Sequence, residues 1–483
     1  MLRKLATTAA AVLAVAPFVA SAQGVRVTGV TYAQSIELRP LVYDSVGSYF
    51  TTGTGEWRVL ADGTPAHCVS GSDYCVFQRS GDRMTMAPLT QDLSFVSWGL
   101  GEGISVHADV RARAQLSSHD LVYPGSDRSL ELIDAYADID RSWGRARIGR
   151  QWVSGGLGVY DFDGLSGVYR HDRYSIEAWA GRALVQGINN TYASAQLASA
   201  EDLPPDQDGY IVGARGRFRP NAVTSVTATY QRVLMADHSG LYSERAALDA
   251  STRALGASID LALAYDMVTG AWNEARLRVG RAGFHQFGYS IEARHSAPFF
   301  ETWTIWGAFS PVGFDEGRAT VDWRSPSLPL TLSAHGAYRK YNDADAGMTL
   351  RTDGWRAGAD AIVQGPGALS AMASYDVDIG NGASRNDARA SVRWSGQGER
   401  SFGLTGSAVQ NIYEFNVGTG RIIGGAFDVT WPLGPDLHAM ADIGVYRQLF
   451  SVGAPGPDWT QRRASLRLEW TLGRDPGLAG TAK

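Results

Sequence analysis

Between Ser105 and Gln115 every second residue is polar or ionisable: Ser105, His107, Asp109, Arg111, Arg113 and Gln115. The residues between them, Ile104, Val106, Ala108, Val110, Ala112 and Ala114, are apolar. A period of two is the period of a β-strand, so this stretch carries charge on one face and hydrocarbon on the other. The same alternation places Arg215, Arg217 and Arg219 on one face, and Arg276 and Arg278 on another. Asp387, Arg389, Ser391 and Arg393 repeat it, with Val392 and Trp394 opposite. Rows of side-chain charge beside water set the ion preference of an aqueous path. The competing role is cross-strand ion pairing that only stiffens a wall. An arginine facing lipid near the bilayer midplane costs about 2–4 kcal/mol. The charged faces are therefore assigned to a lumen and the apolar faces to lipid, with Asp109, Arg111, Arg113, Arg147, Arg150, Arg215, Arg217, Arg389 and Arg393 as candidate pore-lining residues.

Other chemistry is poorly represented. Serine, histidine and aspartate occur without a Gly-x-Ser-x-Gly elbow, and His107, His335 and His438 fall on polar strand faces as lumen residues rather than general bases. Asn342 to Gly347 resembles a calcium loop but lacks the distal glutamate, and reads as an exposed connection. Phosphate-cradling and dinucleotide fingerprints are absent. Cys68 and Cys75 are the only cysteines, and in an exported chain they are expected to form a small disulfide loop. Haem attachment would need Cys-x-x-Cys-His, and zinc would need more ligands than His67 beside them. No enzyme activity, cofactor or metal is expected.

Positioning such charges requires many strands. Short turns are expected at 99–103, 142–144, 171–173, 220–222, 269–272, 325–328, 365–367, 395–399 and 432–436. Longer polar connections are expected at 117–128, 185–208, 234–256, 341–352 and 451–460, with a further long loop from Tyr43 to Thr90. Counting alternating segments gives about 22 strands between Val25 and Leu472, with 18 or 20 as alternatives. The short turns fall between even and odd strands, which puts both termini on one side. The expected fold is all-β: a transmembrane antiparallel β-barrel with short periplasmic turns and long extracellular loops.

The first 22 residues read as a secretory signal peptide, with Arg3 and Lys4 before an apolar run and Ala20-Ser21-Ala22 as the cleavage site. Residues 23–473 are then the barrel and 474–483 a polar tail. No later stretch approaches the roughly 20 apolar residues of a membrane-spanning helix. Glycine is plentiful, at 56 of 483 residues, and 14 tryptophans with 20 tyrosines suit aromatic girdles. A formal charge of −5 is too mild to imply nucleic acid as a partner.

Ala135 to Ile139, the turn at Trp143-Gly144, and then Arg145-Ala146-Arg147-Ile148-Gly149-Arg150-Gln151 resemble general outer-membrane porins. There a strand pair around an aromatic-glycine turn ends in Gly-Arg-Gln and leads into the loop that constricts the pore. The resemblance implies that Arg150 belongs to the basic side of that constriction. Strict alternation from Arg147 points Arg150 outward, so a bulge or twist near Gly149 is expected. The following stretch, Gly155 to Asp163, is rich in glycine and acid but lacks the longer constriction loop of the family. Arg463 to Leu472 resembles the closing strand of outer-membrane proteins, with Ala464, Leu466, Leu468, Trp470 and Leu472 facing out.

The expected function is a porin-like channel in the bacterial outer membrane for passive diffusion of small polar or ionic solutes. A barrel of 22 strands usually encloses a plug, and none is encoded here. The alternative is therefore a sheath around a separate partner protein, such as an electron-transfer or secretion component. Its partners are outer-membrane lipid and the solutes, with a homo-oligomer or a lumen-filling protein left open.

Overall fold

The computed structural model describes residues 24–39, 41–61, 64–68, 73–117, 129–184, 209–235, 241–284, 286–297, 313–342, 351–380, 383–414, 420–450 and 458–473. The expected signal peptide, the C-terminal tail and most of the connections at 117–128 and 185–208 lie outside these residues. Antiparallel strands pair in sequence order from Ile104–Gln115 through Trp459–Gly473. The first strand, Gly24–Leu38, pairs on one side with the last, Trp459–Gly473, and on the other with Pro88–Trp98. That double pairing closes the sheet. Met84–Met86 continues the line of Pro88–Trp98 against the first strand. Counted as one, they make a closed antiparallel barrel of 22 strands, an even number that leaves no edge unpaired.

The two faces behave as the alternation requires. Outward residues such as Ile148, Leu165, Ile291 and Leu404 are 61, 58, 65 and 63 % exposed, an apolar surface that needs hydrocarbon around it. Near the rim that holds both chain ends lie outward Tyr169, Tyr174, Phe218, Trp394, Phe402 and Trp431. Trp394 and Phe402 stack at 5.5 Å between ring centroids, and Arg400 sits 4.5 Å over the Trp431 ring. Tyr210, Tyr265, Trp272, Tyr338 and Trp355 mark the opposite rim. Two aromatic belts flanking an apolar band define a transmembrane barrel of outer-membrane type.

Turns at the first rim are tight, as at 142–143, 222–223, 255–256 and 435–436. At Leu255-Gly256 both residues have positive φ, 52° and 77°, which matches the twist of the flanking strands. Two expected connections differ. The stretch 234–256 is mostly a wall strand, Leu241–Ala254, whose outward residues Ala246 and Ala250 are too small to advertise it. Its presence moves the turn at 267–270 to the rim opposite the chain ends, whereas 269–272 was expected among the short periplasmic turns. The expected loop from Tyr43 to Thr90 is also structured. The described residues between Leu41 and Ser80 form a separate five-stranded sheet, and the barrel resumes at Met84. Cys68 and Cys75 face each other across two strands of that small sheet and are disulfide-bonded. There the Arg79 guanidinium donates to Asp44 at 2.6 Å and holds that carboxyl below the usual carboxylate range.

Candidate constriction site

The strands Leu130–Arg141 and Gly144–Gly155 pair only from Arg141–Gly144 up to Ala135–Arg150. Above that point Leu130–Arg141 stays in the wall beside Ile104–Gln115, while residues 151–155 pair only with 158–162. The free end of this hairpin leaves the wall and turns into the lumen. Its turn carries Leu157, whose carbonyl accepts from Arg245 Nη1 at 3.1 Å, 88 residues away. The same Nη1 donates to Tyr160 Oη at 2.8 Å, and Arg215 Nη1 donates to the Ser154 carbonyl. A methyl group added at Gly156 would lie 3.0 Å from Ala247 Cβ.

An apolar seat explains why the hairpin folds this way. Val153, Phe162, Trp179, Ala183, Ile211 and Val233 form one cluster, with Tyr160 against it. Phe162, Ile211 and Val233 are 0, 2 and 0 % exposed, on the face where neighbouring strands carry arginine and glutamate. Leu157 packs with Ala247 and Ala264 in a second cluster. Burying side chains of this size contributes about 1.5–3 kcal/mol each on transfer grounds. At the bend Gly149 pairs with Gly164, and Gly164 with Gly181, so three strands lack a side chain on the lumen face at one level. Gly149 has φ of 129°, and a Cβ there would run into the Ala135 carbonyl. Glycine is required at that position.

The expected bulge at Gly149 is absent: the ladder stays in register on both sides. Arg150 therefore alternates to the face opposite Arg147. It donates to Asp163 at 2.8 and 2.9 Å and to the Leu132 carbonyl at 3.0 Å, at the level where the hairpin departs. A real bulge lies at Ile133 on the neighbouring strand, which brings both Glu131 and Asp134 to the lumen face.

Most of the other candidate charges are paired across strands. Arg111 binds Asp92 through two contacts of 2.7 and 3.0 Å, and Arg113 lies 2.8 Å from Glu131. Arg147 is 3.6 Å from Asp138 and 4.6 Å over the Tyr136 ring, while Arg145 donates to Asp138 at 2.7 Å. His107 stacks on Tyr136 at 4.8 Å, so Asp109, Arg111, Arg113 and Arg147 belong to one patch of lumen wall. Asp109 stands opposite Asp134, and Asp161 of the hairpin is close enough to repel Asp134. Arg215 pairs with Glu177 at 2.8 Å. Arg217 stands between Arg215 and Arg219 and makes no ion pair among the described residues. Arg393 reaches Asp428 at 2.7 Å on a distant part of the wall, where Arg389 lies between Ser374 and Ser407. His335 and His438 face Asp376 and Glu399, each at 3.2 Å. No group of three or more metal-ligating side chains occurs among the described residues.

The resemblance in the sequence led to the right hairpin and missed its partner. Arg245 lies in the stretch read as a loop. The one signal pointing to it was the weak alternation of Ser243, Arg245, Ala247 and Asp249 against Glu244, Ala246 and Leu248.

Fold and site together define a closed β-barrel of outer-membrane type with an inward-folded hairpin. No family model and no curated protein matches the sequence. Among solved structures, the chain is similar to the P pilus usher (PapC) translocation pore, with a TM-score of 0.45, 7 % identity, and coverage of 92 % of this chain and 99 % of that one. It is similar to OccAB4 of Acinetobacter baumannii, with a TM-score of 0.40, 8 % identity, and coverage of 94 and 99 %. A third likeness is to the ferric citrate transporter FecA in its unliganded form, with a TM-score of 0.43, 11 % identity, and coverage of 92 and 78 %.

Proposed function

We propose that this protein is a passive channel of the bacterial outer membrane, admitting small polar or ionic solutes through a charged lumen narrowed by the hairpin 151–162. The observation that carries this reading is the seat of the hairpin on the inner wall. A barrel of 22 strands is wide enough to leak large solutes unless something fills it. Here a two-stranded element of the wall itself crosses inward and is fixed there by Arg215 and Arg245. Charges line both sides of the remaining path, with Asp109, Arg111, Arg113 and Asp134 on the wall and Asp161 on the hairpin.

The test is purified protein in planar bilayers. Discrete ohmic channels are expected, and a variant lacking Ser154 to Val159 should conduct more and admit larger sugars in liposome swelling. A protein that gives no channels, or that purifies with a stoichiometric partner whose removal alone opens a path, overturns the reading in favour of a sheath.

A further inference from the structure

We infer that Arg245 sets the exclusion limit of the pore, by latching a hairpin whose seat is otherwise built to be left. The inference rests on the channel reading above and deepens it. Arg245 is 6 % exposed and lies on Leu241–Ala254, four strands along the wall from the near strand of the hairpin. From one Nη1 it reaches two acceptors on the hairpin, the Leu157 carbonyl and Tyr160 Oη, and its Nε donates to Asn273 Oδ1 at 3.3 Å. Hydrogen bonds from a charged donor are the stronger kind, and here they are shielded from water.

The wall beneath the hairpin is not a finished core. Trp179 Nε1, Thr229 Oγ1 and Gln231 Nε2 are buried there without a hydrogen-bond partner. Gly155 sits over Thr229, and Gln231 belongs to the same cross-strand row as Trp179. A buried donor left unsatisfied forfeits the hydrogen bond it would make in water. Lifting the hairpin returns these three groups to water, which offsets part of the cost of exposing the apolar seat. The bend supplies the freedom to lift, because Gly149, Gly164 and Gly181 leave three adjacent strands bare on the lumen side. The latch therefore decides between the narrow pore and the wide one, and Arg245 is its positioning residue.

The experiment combines Arg245→Ala with a cysteine pair, Gly156→Cys and Ala247→Cys, whose positions nearly touch in the seated hairpin. In the otherwise native barrel the pair should oxidise readily, and the oxidised pair gives the reference conductance and oxidation rate of the seated hairpin. Arg245→Ala should slow that oxidation, raise conductance to that of the variant lacking Ser154 to Val159, and admit sugars the native pore excludes. Oxidising the pair in the Arg245→Ala background should restore the native exclusion limit, and Arg245→Lys should rescue part of it. Native conductance and exclusion in Arg245→Ala, with unchanged oxidation rate, overturn the inference. Oxidation rate is read without current, so the latch is still tested if the barrel does not conduct and the channel reading fails. Should Arg245→Ala not assemble, Tyr160→Phe removes one acceptor, and unchanged oxidation and conductance there also overturn it.

Discussion

Arg111 is held by Asp92 at its guanidinium edge, and Arg113 by Glu131. Each pair is partly exposed to lumen water, so its contribution to stability is small, about 0–1 kcal/mol. Its effect on the local potential is not small. Removing one arginine leaves an uncompensated carboxylate in a confined aqueous path. Arg111→Ala and Arg113→Ala are therefore expected to assemble normally and to shift the reversal potential in a salt gradient toward cation preference. Unchanged selectivity in both would assign these charges to wall structure alone. Val110 lies on the lipid face of the same strand, and Val110→Arg should cost about 2–4 kcal/mol and reduce the yield of folded, heat-modifiable barrel. Which of these side chains share a face was legible in the sequence, because a period of two leaves no choice once the strand is recognised. Which acid each arginine meets was not. That depends on register between strands, and at Ile133 a bulge alters it.

At the scale of elements, the hairpin is the informative case. Its sequence was recognisable by the aromatic-glycine turn and the Gly-Arg-Gln end, yet Gly155 to Asp163 lacked the longer constriction loop of the family that it resembles. The missing length is supplied by unpairing. Residues 151–155 give up the neighbour that a wall strand would have, and packing of Phe162 and Val153 on Trp179, Ile211 and Val233 takes its place. Non-local packing of that kind leaves no mark in local periodicity. Phe162→Ala is expected to lose about 3–5 kcal/mol of hairpin packing. The ladders hold the barrel independently, so heat modifiability should persist while single-channel current becomes noisier. A quiet channel with native conductance would show that the apolar seat is dispensable. For the small sheet at 41–80, Cys68→Ser with Cys75→Ser should remove about 2–3 kcal/mol on the chain-entropy model. Proteolysis within that sheet should quicken while the barrel stays intact.

For the molecule as a whole, counting alternating segments gave about 22 strands even though the stretch holding Leu241–Ala254 was read as loop. The topology makes a discriminating prediction at the turn the sequence reading misplaced. A cysteine at Thr269 should be labelled on intact cells and one at Ser325 should not, since 267–270 and 325–329 lie on opposite rims. Labelling at Ser325 alone would invert the orientation.

The seam between the first and last strands bears on how such a molecule is made. Gln461 donates to the Glu37 carbonyl across 424 residues, whereas the hairpin meets its seat across 61 and 88. Loop-closure entropy and contact order both favour the nearer contacts first. The narrowing element is thus expected to dock on a sheet that is still an open trough, with the cylinder rolled shut around furniture already in place. A circular permutant joining Gly24 to Gly473, which share a rim, and cut at 171–173 would put the hairpin's own second strand, Gly158–Arg170, at the new seam. In that molecule closure would come before docking was secure, and barrels of normal wall but mixed bore should emerge from a single preparation.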